Sequence, residues 1–346
     1  MSASHLLTEL GWQPYFQQQL DLDEWDSTTP ARIIEQHRSE YVLSGEFGEH
    51  HLSILSSMPE MVVGDWLLLD DEMKFTRLLE RKTLFSRKAA GTRLHKQLIA
   101  ANIDVAFVVT SMNDDFNLNR LERFLALVND AGVEPVIILS KSDLVEAPEE
   151  FLSLINQLDP MLVVESVNCL DPDSVAILSP WLKESSTITV LGSSGVGKST
   201  LINTMMGEET QTTSHIREDD SKGRHTTTSR SLIMLPAGGL ILDTPGMREL
   251  QLADCKDGLS STFADIEALA ENCRFSDCQH QTEPGCAVHE AVDSGQLEAR
   301  RLENYLKLLK EEAFNSASLS ERRASDKALG KFYKNTLEQT YRLKGR

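Results

Sequence analysis

The 346-residue chain carries 34 Lys and Arg against 53 Asp and Glu, a formal net charge of −19, with 40% hydrophobic and 25% charged residues. This is an ordinary globular composition with room for two or three domains. It excludes a membrane-spanning helix, since no apolar run approaches the roughly 20 residues a bilayer needs, and it argues against a surface that binds polyanions indiscriminately.

The N-terminus, MSASHLLTELGWQPYF, lacks a basic region followed by an apolar stretch and a small-residue cleavage site, so no secretory leader is expected. Of five cysteines, three lie close to one histidine, which favours a metal site over a disulfide framework and a cytoplasmic location. Residues 1–28, rich in Gln and Asp, predict a short helix and an exposed linker. From Ala31 to Phe85 the runs ARIIEQ, EYVLSGE, HLSILSS and DWLLLD are spaced by turn residues and predict a small β-barrel. A five-stranded OB-type barrel fits the length; the pattern equally allows an SH3-like one.

Two basic islands stand out on the acidic background. Residues 74–96 hold eight Lys and Arg against Glu80 alone, and residues 297–346 hold twelve against seven acidic groups. Both predict localised contact with an RNA backbone, solvated helix and loop faces being the plainer reading.

From Ala100 strands and helices alternate, the signature of a mostly parallel sheet covered on both faces. Val105–Thr110 reads as a strand, Leu118–Asp130 as an amphipathic helix, and Val133–Leu139 as the next strand. That strand ends at Ser140-Lys141-Ser142-Asp143, similar to the guanine-reading Asn-Lys-x-Asp loop of GTPases. A carboxylate accepts hydrogen bonds from guanine N1–H and the 2-amino group, a pair adenine lacks. Asp143 is therefore the expected base reader, and the stem of Lys141 covers the base plane. Ser140 departs from the usual asparagine, and its shorter reach predicts reduced guanine preference. A helix over Phe151–Leu158 and a strand from Met161 lead to Ser166-Val167-Asn168, which resembles a Ser-Ala-Lys base loop and equally reads as a plain loop; it adds Ser166 to the expected pocket.

Ile188–Leu191 then feeds Gly192-Ser193-Ser194-Gly195-Val196-Gly197-Lys198-Ser199, with helix-compatible Thr200–Met206 behind it. This is G-x-x-x-x-G-K-[ST] between a strand and a helix. The glycines let successive N–H groups converge on phosphate oxygens, and the helix N-terminus adds its partial positive charge. Lys198 is expected to reach the β- and γ-phosphates, the Ser199 hydroxyl to ligate Mg²⁺, and Thr200 to complete the GTP contacts. Downstream, Gly223-Arg224-His225-Thr226-Thr227-Thr228 is the expected switch stretch. One threonine there would complete the Mg²⁺ shell; Thr227 is the first choice of three. Ser231–Leu235 and Gly239–Leu242 read as paired strands, the second ending at Asp243-Thr244-Pro245-Gly246. Asp243 is expected to orient a Mg²⁺-bound water, and the Gly246 N–H to approach the γ-phosphate. Met247 stands where Ras-like proteins carry a water-positioning glutamine, which makes His225 the candidate to orient water, a structural histidine being the alternative.

In ordinary small GTPases the phosphate loop precedes the base-reading loops. Here positions 140 and 166 precede 192. The same sheet assembles if the usual termini are joined, with residues 170–186 as the joining segment, and the chain is opened elsewhere. Beyond it Cys273, Cys278, His280 and Cys286 form C-x4-C-x-H-x5-C, a donor set for one structural Zn²⁺. His289 is a competing ligand, and Cys169 and Cys255 have no such company. The remainder is helical.

The barrel, the permuted order and the segments GRHTTTSRSL, LDTPGMREL and CRFSDCQHQTEPGCAV together resemble the RsgA (YjeQ) family of bacterial GTPases of small ribosomal subunit biogenesis, over roughly residues 30–340. The resemblance implies a multidomain α/β protein: an OB-fold, a circularly permuted P-loop GTPase and a C-terminal helical zinc-binding domain that together embrace the 30S subunit. It implies binding to 16S rRNA and ribosome-stimulated hydrolysis of GTP to GDP and phosphate late in assembly, and it supports His225 as the catalytic histidine. The expected division is 1–28 N-terminal extension, 29–96 barrel and basic linker, 97–258 GTPase, and 259–346 zinc-binding helices, with the chain acting as a monomer away from membranes. A GTP-gated RNA-binding protein with negligible turnover, and an NTPase with relaxed base preference, are the competing readings.

Overall fold

The computed structural model describes residues 3–88, 96–207, 230–243, 252 and 255–316. The chain begins with three short helices, α1 (Ala3–Glu9), α2 (Pro14–Gln17) and α3 (Leu22–Ser27). The expected helix and exposed stretch are both present, α3 burying no side chain, but the residues before them are packed down. Leu7, Leu10 and Phe16 are buried against Trp66, Leu68 and Leu79, and Trp12 meets Trp66 edge-on at 4.8 Å. Burying Phe16 alone contributes about 2–3 kcal/mol, enough to hold so short a helix down. Asp21 and Glu24 close a reciprocal capping box at the start of α3.

Five antiparallel strands follow: β1 (Thr29–Gln36), β2 (Glu40–Gly45), β3 (Gly48–Ser53), β4 (Trp66–Leu69) and β5 (Phe75–Leu78). β1 pairs with both β2 and β4, and its register slips between Ile33 and Glu35. Such a bulge bends a strand and lets it serve two neighbours. The expected basic linker is a second antiparallel pair, β6 (Leu84–Lys88) with β7 (Lys96–Ala101).

Nor are residues 74–82, the described first half of the basic island, a free cationic face. Arg77 forms a two-pronged pair with Glu24 of α3 (2.8 and 2.7 Å), Arg81 with buried Asp65 (2.7 and 2.8 Å), Lys82 with Asp104 (2.9 Å), and Lys74 with Glu72. A count along the chain misses partners that arrive from other segments.

The α/β region contains β8 (Val105–Ser111), α4 (Leu118–Asp130), β9 (Glu134–Ser140), α5 (Pro148–Asn156), β10 (Val163–Val167), α6 (Pro172–Val175), β11 (Thr187–Gly192), α7 (Lys198–Met206), β12 (Arg230–Met234) and β13 (Leu240–Asp243). α4 starts where Asn117 accepts the Arg120 N–H, and its Leu121, Leu125 and Val128 face the core. The strand order is β10-β9-β8-β11-β13-β12, parallel except for β12. β8 and β9 are apolar almost throughout because both faces of a parallel sheet are covered. β11 lies between β8 and β13 although three strands of the sheet, β8, β9 and β10, precede it in the chain, so the permuted assembly holds.

The sheet does not end there. β12 pairs with β1 of the barrel, Ser231 opposite Glu35, while Ser231 also lies opposite Asp243 on β13. Arg32, 1% exposed, fastens the same junction. Its guanidinium donates to the carbonyls of Leu10, Gly64 and Asn102 and to Thr187 Oγ1 at 2.5, 3.3, 3.0 and 2.9 Å, and burial pulls its pKa down to about 10. One side chain thus joins the N-terminal segment, the barrel and the central strand.

Four further helices, α8 (Lys256–Thr262), α9 (Ala264–Ala270), α10 (Ala287–Asp293) and α11 (Ala299–Ser316), complete the described chain. α8 lies on α4 so closely that a Cβ on Gly258 would meet the Ala126 carbonyl at 2.1 Å.

Candidate functional site

The loop from Gly192 to Gly197 leaves the carboxyl end of β11, where open α/β sheets bind ligands. Gly192 has φ +146°, and a Cβ there would come within 2.3 Å of the Val109 carbonyl. Gly197, at φ +99°, is the N-cap of α7. Both conformations favour glycine, so the curl of the loop follows from its residues. Lys198 opens α7, and its Nζ donates to the Ser193 carbonyl across the loop. Val196 is buried beneath.

The loop at 140–143 lies against this cradle. Ser140 is fully buried, and its Oγ donates to the Val196 carbonyl at 2.6 Å, with a longer contact to the Thr110 carbonyl at 3.3 Å. The side chain expected at the base therefore ties the end of β9 to the phosphate loop instead; a hydroxyl at this position is the right length for that bond. Lys141 takes a left-handed conformation (φ 62°) and starts the single turn Ser142–Leu144, in which Asp143 is exposed. β10 runs on through Val167, so Ser166 sits in the strand opposite Leu139, with Val167 beyond it opposite Ser140. The turn proper is Asn168–Asp171, closed by the Asp171 N–H on the Asn168 carbonyl.

Cys169 in that turn is 6% exposed, and its carbonyl accepts from Thr204 Oγ1 of α7 at 2.6 Å. Burial, reinforced by the Asp143 charge, pushes its thiol up to about 11. An added Cβ on Gly197 would meet Cys169 Sγ at 3.7 Å and Ser140 Cβ at 3.8 Å. Three segments separated along the chain (140–143, 168–171 and 192–198) thus converge on one place.

Asp243 ends β13 at the same edge of the sheet. The expected roles of His225, Thr227 and Gly246 fall outside the described residues. One partner of the loop, and the buried cluster behind it, carry no local sequence signal. Arg120, from the first turn of α4, donates from Nη1 to Ser193 Oγ at 2.8 Å, and Asp115 holds its Nη2 at 2.9 Å. Glu122, fully buried two residues on, accepts from Arg300, Arg301 and Asn304 of α11.

Further along the chain, the ligand atoms of Cys273, Cys278, His280 and Cys286 all lie within 4.8 Å of one another. His280 Nδ1 is 3.6 Å from Cys273 Sγ and 3.4 Å from Cys286 Sγ, and the two sulfurs are 3.9 Å apart. A tetrahedral ion with bonds of about 2.3 Å to sulfur has ligand-to-ligand edges of roughly 3.8 Å, so the cluster fits a four-coordinate metal ion. His289 is not part of it. Its Nε2 donates to the His280 carbonyl at 3.1 Å and steadies a residue in a left-handed conformation (φ 53°). Cys255 stands apart, buried, with its thiol pushed up to about 12.

Comparison with known proteins agrees with this architecture. The family model described as RsgA GTPase matches residues 78–253. The chain is 57% identical to small ribosomal subunit biogenesis GTPase RsgA 2 of Vibrio parahaemolyticus, across 97% of this chain and 94% of that one. It is 44% identical to small ribosomal subunit biogenesis GTPase RsgA of Xanthomonas axonopodis pv. citri, across 86% and 84% respectively. The crystal structure of YjeQ from Thermotoga maritima shares the fold, with a TM-score of 0.60 at 23% identity over 82% of this chain and 98% of that one. The glycine-rich loop after the central strand, the loops at 140–143 and 168–171 that precede it in the chain and meet it, and these likenesses place the chain in the RsgA GTPase family.

Proposed function

We propose that this protein hydrolyses GTP to GDP and phosphate in the maturation of the small ribosomal subunit, docking on 16S rRNA. One observation carries the reading: the 2.6 Å bond from Ser140 Oγ to the Val196 carbonyl, which joins a base-side loop to a phosphate loop 56 positions away. In this pocket the backbone N–H groups of residues 192–197 and Lys198 take the phosphates, while Asp143 and Lys141 take the base. Ser199, Asp243 and Thr227 would hold Mg²⁺, which when bound neutralises charge on the phosphate oxygens. His225 orients the attacking water. That water adds to the γ-phosphorus as the bond to the β-phosphate oxygen breaks, and GDP takes the electron pair.

Turnover of GTP and of ATP should be compared with and without purified 30S subunits. Hydrolysis of GTP alone, stimulated by the subunit, is the expected result. No stimulation would leave a GTP-gated binding protein, and equal use of ATP would defeat the guanine reading. The second outcome has a specific motive in Ser140, whose side chain is committed to the loop and leaves base choice to Asp143.

The cluster of Cys273, Cys278, His280 and Cys286 is proposed to hold structural Zn²⁺, because four closed donors leave no position for a substrate. Elemental analysis is expected to find stoichiometric zinc in the intact chain and in Cys255→Ser, and a severalfold loss in Cys278→Ser. Equal zinc in all three would remove the assignment.

A further inference from the structure

We infer that Arg120 is a positioning residue for the phosphate loop, acting on nucleotide binding rather than on bond cleavage. The inference rests on the reading of residues 192–199 as the phosphate cradle. Ser193 is held from two sides: Lys198 donates to its carbonyl, and Arg120 Nη1 donates to its hydroxyl at 2.8 Å. The Ser193 side chain therefore faces α4 and the small cleft lined by Asp115, Asn117, Arg120 and Phe124. Its hydroxyl is engaged on that side of the loop.

The electrostatics decide between two roles for the arginine. Asp115 takes Arg120 at 2.9 Å through Nη2 and at 3.3 Å through Nη1, and its carbonyl also accepts from Nη2 at 3.2 Å. A guanidinium neutralised by its own carboxylate has little charge left for a transition state. It retains direction, because the planar fork offers fixed donors and one of them points at Ser193. The frame behind it is firm. α4 is capped by Asn117, whose side chain accepts the Arg120 backbone N–H, and on the turn carrying Glu122 it is clamped by Arg300, Arg301 and Asn304 of α11. A restraint that shapes the loop before nucleotide arrives stabilises substrate and transition state alike, so it lowers KM without raising kcat.

The test uses the full chain with Arg120→Ala, Arg120→Lys, Ser193→Ala and the double alanine variant. GDP affinity is measured by fluorescent-nucleotide titration, and kcat and KM for GTP are measured with 30S subunits present. Loss of one charge-assisted hydrogen bond is expected to weaken GDP binding about tenfold in each alanine variant. The double variant should be no worse than either single one, since both remove the same bond. kcat at saturating GTP should stay within about twofold in Arg120→Ala, and Arg120→Lys should recover most of the affinity through its single donor. GDP affinity within about twofold of the parent in Arg120→Ala, additive losses in the double variant, or a fall in kcat at unchanged affinity would each overturn the inference. Lys198→Ala is carried alongside. If it leaves GDP binding intact, the phosphate-loop reading fails and takes this inference with it. If Lys198→Ala loses binding while Arg120→Ala does not, only the role of Arg120 is lost.

Discussion

Replacing Lys198 with alanine is expected to abolish measurable GTP hydrolysis and to weaken nucleotide binding by about a hundredfold or more, the larger part of the charge complement to the phosphates being removed. Lys198 is the first residue of α7, and its Nζ already spans the loop to the Ser193 carbonyl. Its position is therefore set by backbone, with little rotamer freedom left to lose on binding. The fold is expected to survive, because the side chain contributes to no apolar cluster; Leu201 and Met205 on the same helix do that. Titration with fluorescent GDP and a circular dichroism spectrum together check the claim. Retained affinity in a folded variant would mean that nucleotide binds elsewhere.

Replacing Glu122 with alanine should cost about 3–5 kcal/mol of stability, the usual penalty for breaking a buried ionic cluster from one side. Both Glu122 oxygens are engaged: Arg301 Nη1 lies 2.9 Å from Oε1, and Arg300 reaches both oxygens at 3.1 Å. Arg301 keeps a second partner in Asp265 at 2.7 and 2.8 Å, and its guanidinium lies 4.8 Å over the Phe263 ring, so the loss falls toward the lower end of that range. Arg300 is left with Asn119 and the more exposed Glu298. Urea unfolding followed by tyrosine and tryptophan fluorescence measures the change; a shift below about 0.5 kcal/mol would show that the cluster breaks even against solvation.

The alternation of strands and helices was legible because parallel strands covered on both faces read as unbroken apolar runs. The predicted helix Leu118–Asp130 coincides with α4, whose apolar spacing and Asn117 cap point to the same bounds. Strand ends differ from the expected ones by one to three residues. β10 continues to Val167 and β11 to Gly192 because pairing with a neighbour, which no local pattern encodes, carries a strand past its apolar centre. The packing of the first N-terminal helices is not legible in the sequence for a related reason. Their few apolar residues are too sparse to signal a core alone and are buried only because Trp66, Leu68 and Leu79 present a complementary surface.

Chemistry carried by contiguous residues was open to inspection from the start: the phosphate loop, whose glycines dictate its curl, and the four thiol and imidazole donors spaced within one short stretch. Chemistry that depends on approach was not. Ser140 bonds to the phosphate loop, Arg120 reaches Ser193, the basic residues 74–82 are matched by Glu24, Asp65, Glu72 and Asp104, and β1 of the barrel adds to the nucleotide-binding sheet through β12. Backbone preference and hydrophobic spacing act over a few residues and so are written in the linear order. Which charge meets which, and which strand closes which edge, is settled only when distant segments are packed to interior density.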